Sequence, residues 1–398
     1  MRATAPGPAP YYRLSGLYFF YFASIGAFVP FWSLYLADLG FAPAAIGELM
    51  AILVATKIIA PNLWGWMADH TGQRMRIIRI ATFLAFLIFM GVIFVSGYWP
   101  LAILMAAFSF FWHATLPQLE ATTMGHLRED AHRYAHIRLW GSIGFIVSVS
   151  LMSPVFDAIG IQWLPVIVLL LLGGIWLNAL FVPGEGEVVA QDDGVSIWRV
   201  LRTPAVIALF AACFFMQASH GPYYTFFSIY LEDHGYARSV VGSLWALGVV
   251  AEVLVFTQMH RLLPRFGASR LLLFAIVVTT LRWVLIALFV DVVPVLLVAQ
   301  LMHAASYGLY HAAAISLIHR LFPGRLQGRG QALYSSLSFG VGGALGSLAS
   351  GYVWEGQGGA ATYLLAATLA GLGILAAIAT RVLVPRLLAA QGRSLRDV

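Results

Sequence analysis

Charge is what this chain of 398 residues has least of: 10% of its residues are Asp, Glu, Lys or Arg, against 61% that are hydrophobic. A soluble domain carries about 25% charged residues, so that class is excluded. Cysteine occurs once, as Cys213, which excludes a disulfide framework or a zinc site built on thiolates. Lysine also occurs once, as Lys57. No Gly-x-x-x-x-Gly-Lys loop is present, so nothing cradles ATP phosphates. The longest polar stretch, Pro183 to Arg202, is too short to be a domain. Before the first apolar run, around Pro6, Pro8 and Pro10, no small-residue cleavage site follows a short apolar core, and that run is expected to stay as a span.

What the chain has is apolar length. Twelve runs of about 20 residues or more can be read, the first near 12–37 and the last near 360–384. A backbone in hydrocarbon must satisfy its own hydrogen bonds, and these runs are too long and too evenly apolar for barrel strands. The expectation is an all-α, multi-pass membrane protein with twelve transmembrane helices. Arg74, Arg76 and Arg79, then Arg199 and Arg202, then Arg261, Arg265 and Arg270 fall in alternate loops, which reads as the cytoplasmic side with both termini cytoplasmic. The opposite loops hold a single Arg238 among Asp38, Asp157, Glu232, Asp233, Asp291 and Glu355. The net charge of +6 is this asymmetry and calls for no nucleic acid.

The chain is also a duplication. Residues 18–59 laid on 213–254 without a gap match at sixteen of 42 positions, among them Ser33/Ser228, Gly40/Gly235 and Gly47/Gly242. In that alignment Lys57 falls on Glu252, a cation and an anion at mid-span, where an ionisable group costs from about 3 to more than 10 kcal/mol. Repeats with polar groups at mid-membrane are the layout of secondary transporters. The predicted organisation is a six-helix half at 1–184, a cytoplasmic linker at 185–202 and a second half at 203–398.

The segment Gly65-Trp66-Met67-Ala68-Asp69-His70-Thr71-Gly72-Gln73-Arg74 resembles the helix 2 to 3 signature of the major facilitator superfamily. The resemblance implies that Asp69 and Arg74 brace helix ends when the cytoplasmic side closes, with Gly65 and Gly72 letting those ends approach. His70 departs from the usual basic residue. Within that superfamily the chain is similar to the phenylpropionate permeases and, more distantly, to the lactose permease and nucleoside-proton symporters. The carrying residues are Arg138-Leu139-Trp140-Gly141-Ser142, Gln217 to Tyr224, Leu244 to Glu252, Arg282-Trp283, and His303 with His311.

The residues themselves suggest two polar sets. Glu120 and Arg138 lie at similar depth in neighbouring helices, where an ion pair is expected; the lactose permease resemblance implies that it faces substrate and that Phe145 takes the place of a stacking aromatic. A structural salt bridge is the plainer alternative. Glu252, Arg282, His303 and His311 form the second set. A carboxylate beside a movable arginine changes proton affinity with pairing, which makes Glu252 the candidate proton carrier and Arg282 its modulator. His303 and Tyr307 share a helix face, with His311 about 80° round. Ser306 stands where the lactose permease pattern has a carboxylate.

Lys57, Arg138 and Arg282 against Glu120 and Glu252 leave the interior positive, which favours an anion. Aromatic residues on helix 1, and Tyr223 and Tyr224 one turn after His220, suit a ring. The expectation is a proton symporter of the inner membrane that imports a small aromatic carboxylate, binding between the halves, and acts as a monomer without cofactor, metal or nucleic acid. A nucleoside, sugar or drug carrier is the main alternative. A haem protein or membrane enzyme using His113, His220, His303 and His311 is disfavoured, since Ile25 and Phe108 are the repeat counterparts of His220 and His303.

Overall fold

A computed structural model describes residues 10–127, 130, 133–184, 197–322, 324 and 326–390. Among these there is no strand, and eleven helical rods are long and apolar enough to cross a membrane. They are α1 (Tyr11–Asp38), α2 (Pro43–Thr71), α3 (Arg74–Phe94), α4 (Tyr98–Leu127), α5 (Tyr134–Ile159), α6 (Ile161–Phe181), α7 (Pro204–Asp233), α8 (Arg238–Phe266), α9 (Ala268–Phe289), α10 (Val293–Leu321) and a last rod, Leu326–Ala390. That last rod is 65 residues long and breaks at Gly358, whose φ of 80° no helix holds. It therefore supplies α11 (326–357) and α12 (359–390), and the twelve expected spans are present. Most of the expected linker, 185–196, lies outside the described residues.

Three helices leave regular α geometry near mid-span. In α2 a single 3-10 turn, Thr56–Ile58, carries Lys57. In α10 and α11 wide π turns run over Ala304–Leu309 and Ser335–Gly342. Such turns inside long helices are associated with functional sites. The π turn of α11 packs on the turn that carries Lys57: Ser336 Oγ donates to the Ile58 carbonyl at 3.1 Å, and a Cβ on Gly340 would stand 2.7 Å from Ile58 Cγ1.

Packing divides the chain differently from its repeat. One compact unit takes the described residues up to Phe28, Ala60–Ser148 and 164–184. The other takes Val29–Ile59, Val149–Trp163 and the described residues from 197 on. Within the second unit the arginine-poor ends of α2 and α5 pack on α11 and α8. Small residues make those crossings: Gly47 faces Gly351, with a virtual Cβ 2.7 Å from its Cα, and Gly242 faces Ser153. The repeat shows in the packing as well. Gly26 of α1 lies on the backbone of Phe145 in α5, and its counterpart Gly221 of α7 lies on the backbone of Gly346 in α11. Next to Gly221, Pro222 offers no N–H to the Ala218 carbonyl, and Gly346 sits against that freed oxygen.

Candidate functional site

In the first unit the polar set gathers on α1, α4 and α5. The Arg138 guanidinium carbon lies 4.0 Å from the ring centre of Phe22 and 5.8 Å from that of Tyr18. Arg138, Tyr134 and Tyr18 are all close enough to Glu120 to act on it electrostatically. The expected Glu120–Arg138 salt bridge is not made among the described residues; Arg138 is held by cation–π contact instead. Phe145 is buried with its backbone against Gly26, and Phe22 is the nearer of the two rings over Arg138. Phe22 is one of the aromatic residues of helix 1, and its proximity to Arg138 is a contact between distant segments that spacing along the chain does not reveal.

In the second unit Arg282 is the centre. It is fully buried in α9, and among the described residues its hydrogen bonds go to neutral acceptors on α10. Nε donates to the Ala299 carbonyl at 2.8 Å, Nη1 to His303 Nδ1 at 3.1 Å and Ser306 Oγ at 3.0 Å, and Nη2 to Gln300 Oε1 at 3.1 Å. The rings of Tyr223 and Trp283 cover the guanidinium at 4.4 and 4.6 Å. An arginine can only donate, so His303 Nδ1 accepts and the ring proton resides on Nε2. That nitrogen faces Glu252 Oε2 at 3.6 Å, longer than a hydrogen bond. The imidazole thus stands between the carboxylate and the arginine.

Around this core the rings are ordered. His220 donates Nδ1–H to the Met216 carbonyl at 2.8 Å and meets Trp283 edge-on at 5.0 Å. Tyr223 donates to Gln300 Oε1 at 3.1 Å, and Tyr224 stacks on Trp245 at 6.2 Å. His303, Tyr307 and His311 form one parallel column, with ring planes 11° and 7° apart at 5.8 and 6.0 Å. An ideal α-helix would turn His311 well away from His303; the π turn between them brings both onto one line. Gln300 and Ser306, which the residue pattern had not marked as ligands of Arg282, complete the set. A buried amide in an apolar span was the signal for Gln300.

Lys57 lies at the centre of α2, the fifteenth of its 29 residues counted from Pro43, as Glu252 does in α8 counted from Arg238. It has no acidic partner among the described residues. At the arginine-rich end, Asp69 of α2 and Arg74 of α3 form a salt bridge of 2.6 Å across a turn made by Gly72, whose φ is 67°. A Cβ on Gly65 would make only an ordinary contact, 3.7 Å from Gln118 Nε2. Among the described residues no cluster of three or more His, Cys, Asp or Glu could hold a metal ion.

Twelve apolar spans in a duplicated chain, with buried charged side chains at mid-span, define a membrane carrier. The chain belongs to the MFS_1 like family, whose model matches residues 11–365. It is 28% identical over 361 residues to the "Probable 3-phenylpropionic acid transporter" of Escherichia coli (strain K12), covering 88% of this chain and 92% of that one. It is 27% identical over 372 residues to the maltose permease of Geobacillus stearothermophilus, covering 92% and 93%. A crystal structure of a mutant of the nucleoside transporter NupG superposes with a TM-score of 0.83 at 17% identity, over 94% of this chain and 99% of that one. The protein is a secondary transporter of the major facilitator superfamily that moves a small molecule across a membrane, and not an enzyme.

Proposed function

We propose that this carrier imports a small aromatic carboxylate of the 3-phenylpropionate type in symport with a proton. Lys57 carries the reading. An ammonium at mid-span, without an acidic side chain among the described residues to neutralise it, is a poor resident of a membrane unless its partner arrives from outside. A substrate carboxylate is such a partner, and a charge-assisted hydrogen bond would orient it. The aromatic rings on α7 and the column on α10 offer stacking faces for the rest of the molecule.

Glu252 is the proton carrier in this scheme. With Arg282 bound to neutral acceptors on α10 and the His303 imidazole interposed, the carboxylate faces a ring rather than the guanidinium in this arrangement, and it is the group assigned the proton. Movement of α10 that releases Arg282 toward Glu252 would expel that proton, so arrangement and protonation are linked. His303 and His311 lie at the two ends of the ring column and offer a route for proton exchange. Glu120, Arg138 and Phe22 form the polar set of the first unit, and Asp69 with Arg74 braces the arginine-rich ends of α2 and α3.

The testing experiment is uptake of labelled 3-phenylpropionate into proteoliposomes under an imposed inward proton gradient, with and without an uncoupler. Uncoupler-sensitive accumulation is expected. No uptake into vesicles that hold folded protein would overturn the substrate class. A nucleoside or sugar is the second reading, favoured by the buried and unpartnered Nε2 atoms of His220 and Gln300, which suit a neutral polar ligand. The same vesicles loaded with those compounds separate the two.

A further inference from the structure

Arg238, the single basic residue of the acid-rich loops, has no part in the transport reading above. It opens α8 directly behind Ala237, and the repeat-related α2 opens directly behind Ala42. Both N-cap residues are alanines, at the same position of the duplication. Alanine has no side-chain acceptor for the first free N–H groups of a helix.

In each repeat a carboxylate from a different helix supplies the missing acceptor. At α8 both oxygens of Asp157, near the end of α5, are used: Oδ1 accepts from the Arg238 amide at 3.1 Å and Oδ2 from the Ser239 amide at 3.0 Å. At α2, Glu355, near the end of the α11 segment, accepts the Ala44 amide through Oε2 at 3.0 Å. Ala44 and Ser239 are themselves repeat counterparts. Side chains reinforce both joints. Arg238 donates from Nη1 to the Phe156 carbonyl at 3.1 Å and from Nε to Glu232 Oε1 at 2.7 Å, and the Tyr352 hydroxyl donates to Glu48 Oε1 at 2.5 Å.

Directly behind each cap lies a close helix crossing, Gly242 on Ser153 and Gly47 on Gly351. Each joint therefore ties a helix of one repeat to a helix of the other, α5 to α8 and α11 to α2, and all of these residues belong to the second packed unit. Separating either pair strips a helix N-terminus of its borrowed acceptor. Water on the opened side can take over the freed N–H groups, so the joint is reversible, as a gate requires.

We propose that Asp157 and Glu355 are paired carboxylate latches that hold the acid-rich face of the carrier closed and release together when it opens. The inference rests on the carrier reading but not on the substrate or on proton coupling. Its test reads backbone hydrogen exchange of the purified full-length protein in lipid nanodiscs by mass spectrometry, for Asp157→Ala and Glu355→Ala. Loss of one cap should raise exchange about tenfold at its own helix start. The latch predicts that Asp157→Ala also raises exchange at 44–48 and 347–351, where no bond has been removed, and that Glu355→Ala raises it at 238–242. Exchange confined to the altered joint, or unchanged at both, would overturn the proposal and leave two local caps. Should Asp157→Ala not fold, Asp157→Asn, which keeps one acceptor oxygen, is expected to raise exchange at both joints by about threefold. Neither result depends on which compound is carried, so failure here and failure of the uptake assay are distinguishable.

Discussion

Lys57 and Glu252 occupy the same place in two copies of one repeat, yet the fold treats them differently. Glu252 has an imidazole beside it, whereas Lys57 has no acid among the described residues. Lys57→Ala is therefore expected to raise the KM for a carboxylate substrate about 10- to 100-fold, the loss of one charge-assisted hydrogen bond, and to leave the affinity for its neutral amide analogue nearly unchanged. Competition of both compounds against labelled substrate checks this, and equal effects on the two would remove Lys57 as the carboxylate clamp. Glu252→Gln keeps the shape of the side chain but cannot exchange a proton. It should retain counterflow and lose driven accumulation; accumulation equal to that of the parent would take Glu252 out of the proton path.

Among elements, the π turn of α10 matters most. It places His303, Tyr307 and His311 in one column and adds Ser306 to the Ala299 carbonyl, Gln300 and His303 around a single guanidinium. Gly308 lies in that turn, where an added Cβ would stand 2.9 Å from Val255 Cγ1 and 3.2 Å from Glu252 Cγ. Gly308→Val should press α8 away from α10 and separate Glu252 from His303, reducing proton-driven uptake more than counterflow. Overpacking there is also expected to lower stability by about 1 to 3 kcal/mol, which a thermal unfolding scan in detergent would register. The crossing of α7 on α11 is less forgiving, because Gly346 meets backbone rather than side chain at Ala218. Gly346→Leu should prevent accumulation of folded protein in the membrane, and normal yield with full activity would show that the two helices part more easily than their contact suggests.

For the whole molecule the decisive quantity is the free energy available for accumulation. A protonmotive force of about 150 mV on one net charge supplies roughly 3.5 kcal/mol, enough for a gradient of a few hundredfold. An uncoupler should collapse that gradient toward unity, and addition of ATP to otherwise unenergised vesicles should produce none. How much of this was legible beforehand follows from what sets each feature. Span number, helical class and the duplication depend on local apolar length and on positions a fixed distance apart in the chain, so the amino-acid sequence by itself determined them, along with the mid-span location of Lys57 and Glu252. The partners of each charge were decided only by tertiary structure. Phe22 against Arg138, neutral acceptors on α10 around Arg282, the π turn that aligns His311 with His303, and carboxylates of α5 and α11 on the starts of α8 and α2 all arise where distant segments meet. Spacing along a helix fixes which face a residue shares with its neighbours. It does not fix which other helix that face will touch, nor where a wider turn resets the register.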